Sequence, residues 1–438
     1  MKSVRQLLPY LCAVPIILTA TSIQAEPLSR KASLSAALAG NPLVAESRLG
    51  VEAGKQGVVS AEGKHYPRIH LDGTIARRQD PIPFVPAQSA TIGPHFSDSF
   101  ASYTLQMTIP FYQGGQVVNG VKLAEVRRQL QKDSLILTRN DIIANTVNTY
   151  NKLLQTQKFR ESSQASVNAL EEQRKNAQLL YEVGRIARVD LLKIEVQLAN
   201  DKQRLFALDE ALANLGATLR YLMGEREEGI LRPLILCDTL DQPEPAADFT
   251  EGLVKAHQLR PEYRIAQKTI QEAGLNRSAA RGKLLPNVNG FAGYLDQFGF
   301  DPSYKEANWF VGINVSMPLF DKSLSADVTR ERIQLAKSEQ RLLAVDNQIR
   351  LDIRTALSSL QESRNRIAAA TKATEQARES FRIEQEKYKS GAGAMVDLLL
   401  AQAADLTAAA NVTQALFDYN AALVAWRKAT GTLEDYLK

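Results

Sequence analysis

The chain has 438 residues, of which 45% are apolar, 23% charged and 7% aromatic, enough for a packed core and unlike a disordered or collagen-like polymer. The 53 Lys and Arg against 48 Asp and Glu leave only +5, with both signs interspersed, so no basic arm is present and no nucleic-acid partner is expected. Beyond the first 25 residues no stretch reaches the roughly 18 uninterrupted apolar residues of a membrane helix.

Residues 1–25 have the layout of a signal peptide. Lys2 and Arg5 precede an apolar run from Leu7 to Ala20, and small residues lead to a cut after Ala25, with Ile23 three positions before it. Cys12 sits inside the apolar run behind bulky Leu11, unlike a lipobox cysteine, so no lipid anchor is expected. Export would leave Cys237 alone, and stability must then come from packing and partner subunits, with no internal disulfide.

The rest of the chain is a duplication. Asn41-Pro42 and Tyr66-Pro67 recur as Arg260-Pro261 and Leu285-Pro286 at an offset of 219. Tyr181, Gly184, Asp190-Leu191-Leu192 and Gly224 recur as Tyr388, Gly391, Asp397-Leu398-Leu399 and Gly431 at 207. The drop falls between Pro67 and Pro110 in the first copy and between Pro286 and Pro318 in the second, as a loop insertion would place it.

In chain order, repeat 1 (26–230) holds a β-hairpin at 67–112, a long helix at 117–183, a tip at 184–189 and a return helix at 190–223. Repeat 2 (231–438) opens with a linker at 231–249, marked by Pro233, Pro243 and Pro245 among acidic residues. It continues with a β-hairpin at 286–320, a long helix at 321–390, a tip at 391–396 and a return helix at 397–431. The long helices follow from punctuation, since Val121 to Val183 and Leu319 to Ser390 contain neither Gly nor Pro. At 1.5 Å per residue each could reach about 100 Å, the scale of a coiled coil or helical tube. Ile143, Val147, Tyr150 and Leu154, and Ile349, Ile353, Ala356 and Leu360, step by 4, 3 and 4, the spacing of a core seam. Gly184 and Gly391 end the long helices, and a turn sends each chain segment back antiparallel.

The hairpins are read from alternation. Tyr103, Leu105, Met107 and Ile109 alternate with polar residues, as do Trp309, Val311, Ile313, Val315 and Met317, where Phe310 interrupts the polar set. A soluble half-buried sheet alternates in the same way. The aromatic distribution favours a barrel, because 14 of the 29 Phe, Tyr and Trp residues fall within 67–112 and 286–320. Four strands cannot close a barrel when the smallest known have about 8, so the open edges require further copies of the chain. Asp80 to Ser99 and Asp296 to Glu306 are expected to be outward loops.

With a signal peptide and a duplicated order of helix, β-hairpin, long helix, tip and return helix, the chain resembles the TolC-like outer membrane efflux protein family. The Asn-Pro or Arg-Pro openings and the Tyr-x-x-Gly-x-x-x-x-x-Asp-Leu-Leu tips carry that resemblance over essentially the whole mature chain. It implies a mainly α fold with a β-barrel portion, in which a homotrimer forms a 12-stranded outer-membrane barrel continuous with a periplasmic α-helical barrel. It implies outer-membrane lipid around the barrel, and a periplasmic adaptor and an inner-membrane transporter as partners, in drug or metal efflux or in type I secretion. Val183, Gly184, Arg185 and Arg188, with Ser390, Gly391 and Ala392, would be adaptor contacts. Asp397, with Asp190 and Tyr388, would line the pore constriction, where a ring of carboxylates selects cations. The alternative for both aspartates is plain helix-dipole stabilisation in the first turn of the return helix, and for Tyr388 a place in a helix seam. Leu400 and Gly393 stand where some relatives carry a second acidic ring and a latch arginine.

No catalytic machinery is legible. His65, His70, His95 and His257 form no metal pair, Gly391-Ala392-Gly393 lacks a third glycine, and neither a phosphate loop nor a nucleophile elbow occurs. No enzyme activity, cofactor or metal is expected. The rival reading is a periplasmic coiled-coil scaffold or adaptor without a barrel.

Overall fold

The computed structural model describes residues 28–84, 95–225, 234–240, 248–300 and 303–437. The signal segment 1–25 and the centre of the first expected loop lie outside the described residues.

Each repeat opens with two helices joined at a proline. α1 (Arg30–Gly40) ends at Asn41, which also caps α2 (Pro42–Gly63), its side-chain oxygen accepting the Leu43 N–H at 2.9 Å. The Asn41 amide donates to the Leu222 carbonyl at 2.9 Å and so fastens a later helix to this joint. In repeat 2 the same joint lies between α5 (Phe249–Leu259) and α6 (Pro261–Gly282). Arg260 occupies it, buried, with its guanidinium on Glu262 at 3.0 Å and Asp352 at 2.8 Å.

Between the joints and the long helices lies one antiparallel sheet in the order β1 (Arg68–Phe84), β2 (His95–Gln113), β3 (Asn287–Phe300), β4 (Ser303–Ser316). The two hairpins are thus one sheet, joined where β2 pairs with β3. The register places Leu71, Leu105, Tyr294 and Trp309 in one cross-strand row and Ile69, Met107, Ala292 and Val311 in the next, on a shared apolar face. The opposite face carries Asp72, Thr104 and Asn308, and also two phenylalanines. Phe291 is paired with Gly312 and Phe310 with Gly293; a Cβ on either glycine would come within 2.6 Å or 2.4 Å of the opposing ring. Each ring therefore lies over a glycine, which explains the interruption at Phe310.

Among the described residues, both expected loops are strand, a correction to the loop bounds expected from the sequence. β1 pairs with β2 out to Phe84 and His95, through an irregularity between Arg77 and Ile82, and β3 with β4 out to Phe300 and Ser303. The backbone ladder continues where side chains such as Gln297, Glu306 and Asp80 no longer alternate, because pairing is made by peptide groups.

α3 (Gln116–Glu182) and α7 (Lys322–Lys389) leave the sheet, and α4 (Arg188–Met223) and α8 (Met395–Thr430) return towards it. α3 packs on α2 and α6 over its sheet-side half and on α4 and α8 over its far half, while α7 packs on α6 and α8. α8 is apolar and long enough to cross a membrane by composition, yet it lies along α3 and α7. One core gathers Leu34, Val44, Ile143, Tyr150 and Leu219 around the return of α4. Within it the Tyr150 hydroxyl donates to Asp238 at 2.9 Å, and the Arg30 N–H reaches the same carboxylate at 2.6 Å. The start of α1 is thereby clasped to the inter-repeat linker.

Candidate functional site

The two tips lie at the ends of the long helices remote from the sheet and are built alike. At the first, Gly184 takes φ +74°, its N–H reaching Tyr181 O at 2.9 Å while Arg185 N–H reaches Leu180 O at 2.8 Å. At the second, Gly391 takes φ +77°, with Gly391 N–H on Tyr388 O at 3.0 Å and Ala392 N–H on Lys387 O at 2.9 Å. This is the paired-bond stop that a left-handed residue permits. Gly393 N–H also returns to Lys387 O at 3.0 Å, and a Cβ at Gly393 would lie 3.0 Å from the Tyr388 nitrogen. That close approach accounts for glycine at this position.

Val183, Gly184, Arg185 and Arg188 on one tip, and Ser390, Gly391 and Ala392 on the other, are exposed. Asp190 and Asp397 both fall in the first turn of a return helix, α4 or α8, where the helix dipole favours a carboxylate. Asp190 is half-buried with Lys193 Nζ at 3.5 Å; Asp397 is exposed. Tyr388 is half-buried against a core of Val167, Leu170, Leu191, Ile194, Met395 and Leu398, which draws on α3, α4 and α8 together. Burial, reinforced by the nearby Asp190 carboxylate, pushes the Tyr388 hydroxyl above its ordinary pKa. Asp190 and Tyr388, from different repeats, are therefore brought together in one chain, whereas Asp397 stands outward from that cluster.

Polar residues inside the helical layer escaped the sequence reading. Asp133, buried, holds Arg264 at 3.2 Å and Lys268 at 2.5 Å, tying α3 to α6. Asp201, also buried, accepts from Ser166 at 2.6 Å and Gln197 at 3.1 Å between α3 and α4. Both partners of each contact look like surface residues in one dimension, and only a break in apolar periodicity at Asp133 or Asp201 hints at them.

A duplicated helical hairpin with remote glycine tips, carried on a four-stranded sheet with one apolar face, defines an outer-membrane duct component. The family model for outer membrane efflux proteins matches residues 33–225 and 252–432, and the chain belongs to that family. The outer membrane efflux protein BepC of Brucella suis is 23% identical over 429 residues, covering 95% of this chain and 90% of that one. The fold is shared with the outer membrane protein VceC of Vibrio cholerae, at TM-score 0.77 and 16% identity over 92% of this chain and 96% of that chain. It is shared also with the CmeC outer membrane channel of Campylobacter jejuni, at TM-score 0.80 and 16% identity over 92% and 85% of the two chains. The chain is thus an outer-membrane efflux component, and the soluble scaffold is not favoured.

Proposed function

We propose that three copies of the chain close a twelve-stranded barrel in the outer membrane, and that their helices continue it as a duct towards a periplasmic adaptor and an inner-membrane transporter. The observation that carries this reading is the open-edged sheet, β1 to β4, with a continuous apolar face, mounted on long helices whose tips lie at the opposite end. Four strands leave two unpaired edges that only further chains satisfy inside a bilayer. The apolar rows meet lipid, and the row Gly73, Tyr103, Asp296 and Ala307 marks their outer limit, where Tyr103 donates to Asp296 at 3.0 Å.

In this reading the tips dock the adaptor through Val183, Gly184, Arg185 and Arg188 and through Ser390, Gly391 and Ala392. Asp397, exposed and unpaired among the described residues, contributes one carboxylate per copy to a ring at the constriction. Asp190 and Tyr388 brace the same end from inside the chain. No step is catalytic, and energy for transport comes from the partner transporter.

The test is the mass of the purified protein in detergent by light scattering with detergent subtraction. Three copies are expected; a stable monomer overturns the reading. Asp397→Ala is then expected to raise single-channel conductance or weaken block by multivalent cations, and no change in either removes Asp397 from the constriction.

A further inference from the structure

The duplication shows where repeat 2 has been hollowed out. The buried series Ile143, Val147 and Tyr150 of α3 aligns with Ile349, Ile353 and Ala356 of α7, which makes Ser359 the counterpart of Leu153. The aligned ends of α4 and α8 make Ala422 and Ala429 the counterparts of Leu215 and Leu222. In repeat 1 Tyr150, Leu153 and Leu222 are buried and Leu215 packs against the same core, so large side chains crowd the contact of α3 with α4. In repeat 2 three alanines and a serine stand at those four places. There α7 and α8 enclose a groove of about 720 Å³.

The groove opens on one face of the helical layer. α5 packs against Ile349 and Ile353 of α7, as α1 packs on Ile143 and Val147 of α3. Thr355 and Glu362 of the groove wall lie two and nine residues beyond Ile353, about half a helical turn round from α5. The floor is apolar, built from Ala422, Ala425 and Ala429. Both ends are charged, and they follow one pattern. Buried Arg260 is shared by Asp352 at 2.8 Å and Glu262 at 3.0 Å, and Arg366 by Asp418 at 2.7 Å and Glu362 at 3.3 Å. One guanidinium between two carboxylates leaves each end with one uncompensated negative charge. Lys428, the other cation of the wall, is matched by Asp141 at 2.7 Å. Asp352 and Glu362 are ten residues apart on one helix, so the two negative ends stand about 15 Å from each other.

Resting on the duct reading above, we infer that this groove binds an elongated organic cation from the lumen, one with a positive group at each end of an apolar middle. The alanine floor takes the apolar middle, and the surplus carboxylate charge at each end takes a cationic group. A dication gains at both ends what a monocation gains at one. A compact metal ion does not suit the arrangement, because guanidinium groups already engage the carboxylates and the two clusters are a groove's length apart. The lumen side follows from the short helices, since α1 and α5 occupy the other face of the layer. In repeat 1 Thr146 and Ala211 stand at the places of Asp352 and Asp418, so the corresponding contact is neither hollow nor negative. The expected stoichiometry is therefore one ligand per chain.

The test uses the full chain in nanodiscs of zwitterionic lipid, so that no detergent competes for the groove, with the oligomer mass measured on the same sample. The probe is radiolabelled decamethonium, two quaternary ammonium groups joined by a decyl chain of about the groove's length, followed by equilibrium dialysis. Saturable binding of one molecule per chain is expected. Sebacate, a dianion of similar length, is expected not to compete, and equal competition by it overturns the cationic class. Ser359→Leu with Ala422→Leu restores the residues that repeat 1 carries and is expected to abolish binding. Glu362→Gln, on an exposed side chain, leaves Arg366 matched by Asp418 alone and is expected to weaken binding about fivefold. It decides the matter where the filled variant does not assemble. Absence of saturable binding at trimer mass, or binding indifferent to both variants, overturns the site and leaves the homotrimer standing. A monomer mass overturns the homotrimer itself. In planar bilayers decamethonium is expected to lower the single-channel current of the unmodified protein and not of the filled variant, and equal block of both contradicts the lumen placement.

Discussion

α3 and α7 are counterparts of 67 and 68 residues, both free of Pro from end to end, yet α3 buries eighteen residues and α7 five. Their local sequences do not account for this difference; their neighbours do. α3 runs through the middle of the helical layer, with α2 and α4 on one side and α6 and α8 on the other. α7 forms its margin, leaving Ile333, Leu343 and Leu351 between 57% and 62% exposed. A duplicated helix can therefore be a core element in one repeat and an edge in the other. The same division holds in the sheet, where β2 and β3 are central and β1 and β4 are edges.

The comparison breaks first, and hardest, at charge. Asp133→Ala strands Arg264 and Lys268 inside the α3–α6 contact and is expected to cost about 4 kcal/mol of chain stability, read by denaturant unfolding in detergent. Glu339→Ala at the corresponding place on α7, exposed in the single chain, is expected to change the stability of the dissociated chain by less than about 0.5 kcal/mol. Equal losses would mean that α7 is as enclosed as α3. Next in size is core truncation, with Leu170→Ala, fully buried at the tip end of α3, expected to cost about 3 kcal/mol. Leu351→Ala on α7 should leave the unfolding midpoint of the chain nearly unmoved and act on subunit association instead. A smaller effect compares the tips: Gly184→Ala and Gly391→Ala each force an L side chain into left-handed backbone, at about 1–2 kcal/mol. Unequal losses at the two tips would show that the repeats do not end their long helices equivalently.

Much of this organisation was legible in one dimension. Gly and Pro placement marks helix ends, so the run from Val121 to Val183 and the stop at Gly184 are visible without coordinates. Repetition of Asn41-Pro42 as Arg260-Pro261 fixes the joints, because proline at the first helical position has a local cause. Strand length was less legible. Alternation fades where β1 and β4 leave the apolar region, although the backbone pairing continues, so residues near Asp80 and Glu306 resembled loops. The buried polar contacts were illegible for a different reason. Asp133 with Lys268 and Tyr150 with Asp238 join positions far apart in sequence, and no periodicity couples them. The tip residues were recognisable as a repeated motif, but the outward placement of Asp397 beside the inward Tyr388 is a property of packing.

The smallest expected effect sharpens the comparison in a different solvent condition. At the joint of repeat 2, His257 of α5 lies 2.6 Å from Asp346 of α7, and Arg350 reaches the same carboxylate at 2.8 Å. The Arg350 hydrogen bond holds the Asp346 carboxyl below the ordinary range against the opposing effect of burial, and His257 adds to the lowering. Because the folded carboxyl is the stronger acid, its contribution is present above the ordinary carboxylate pKa of about 3.9 and is lost as pH falls through that range. The corresponding joint in repeat 1 sets Leu38 of α1 and Asn140 of α3 at the equivalent places, with nothing to titrate. Acidification from about pH 5 to about pH 3 should therefore loosen α5 on α7 by up to about 1 kcal/mol, an exposed-pair magnitude. Amide exchange, corrected for its intrinsic pH dependence, should lose protection across Phe249–Leu259. Asp346→Asn should abolish that loss; its persistence in the variant would assign it to another group.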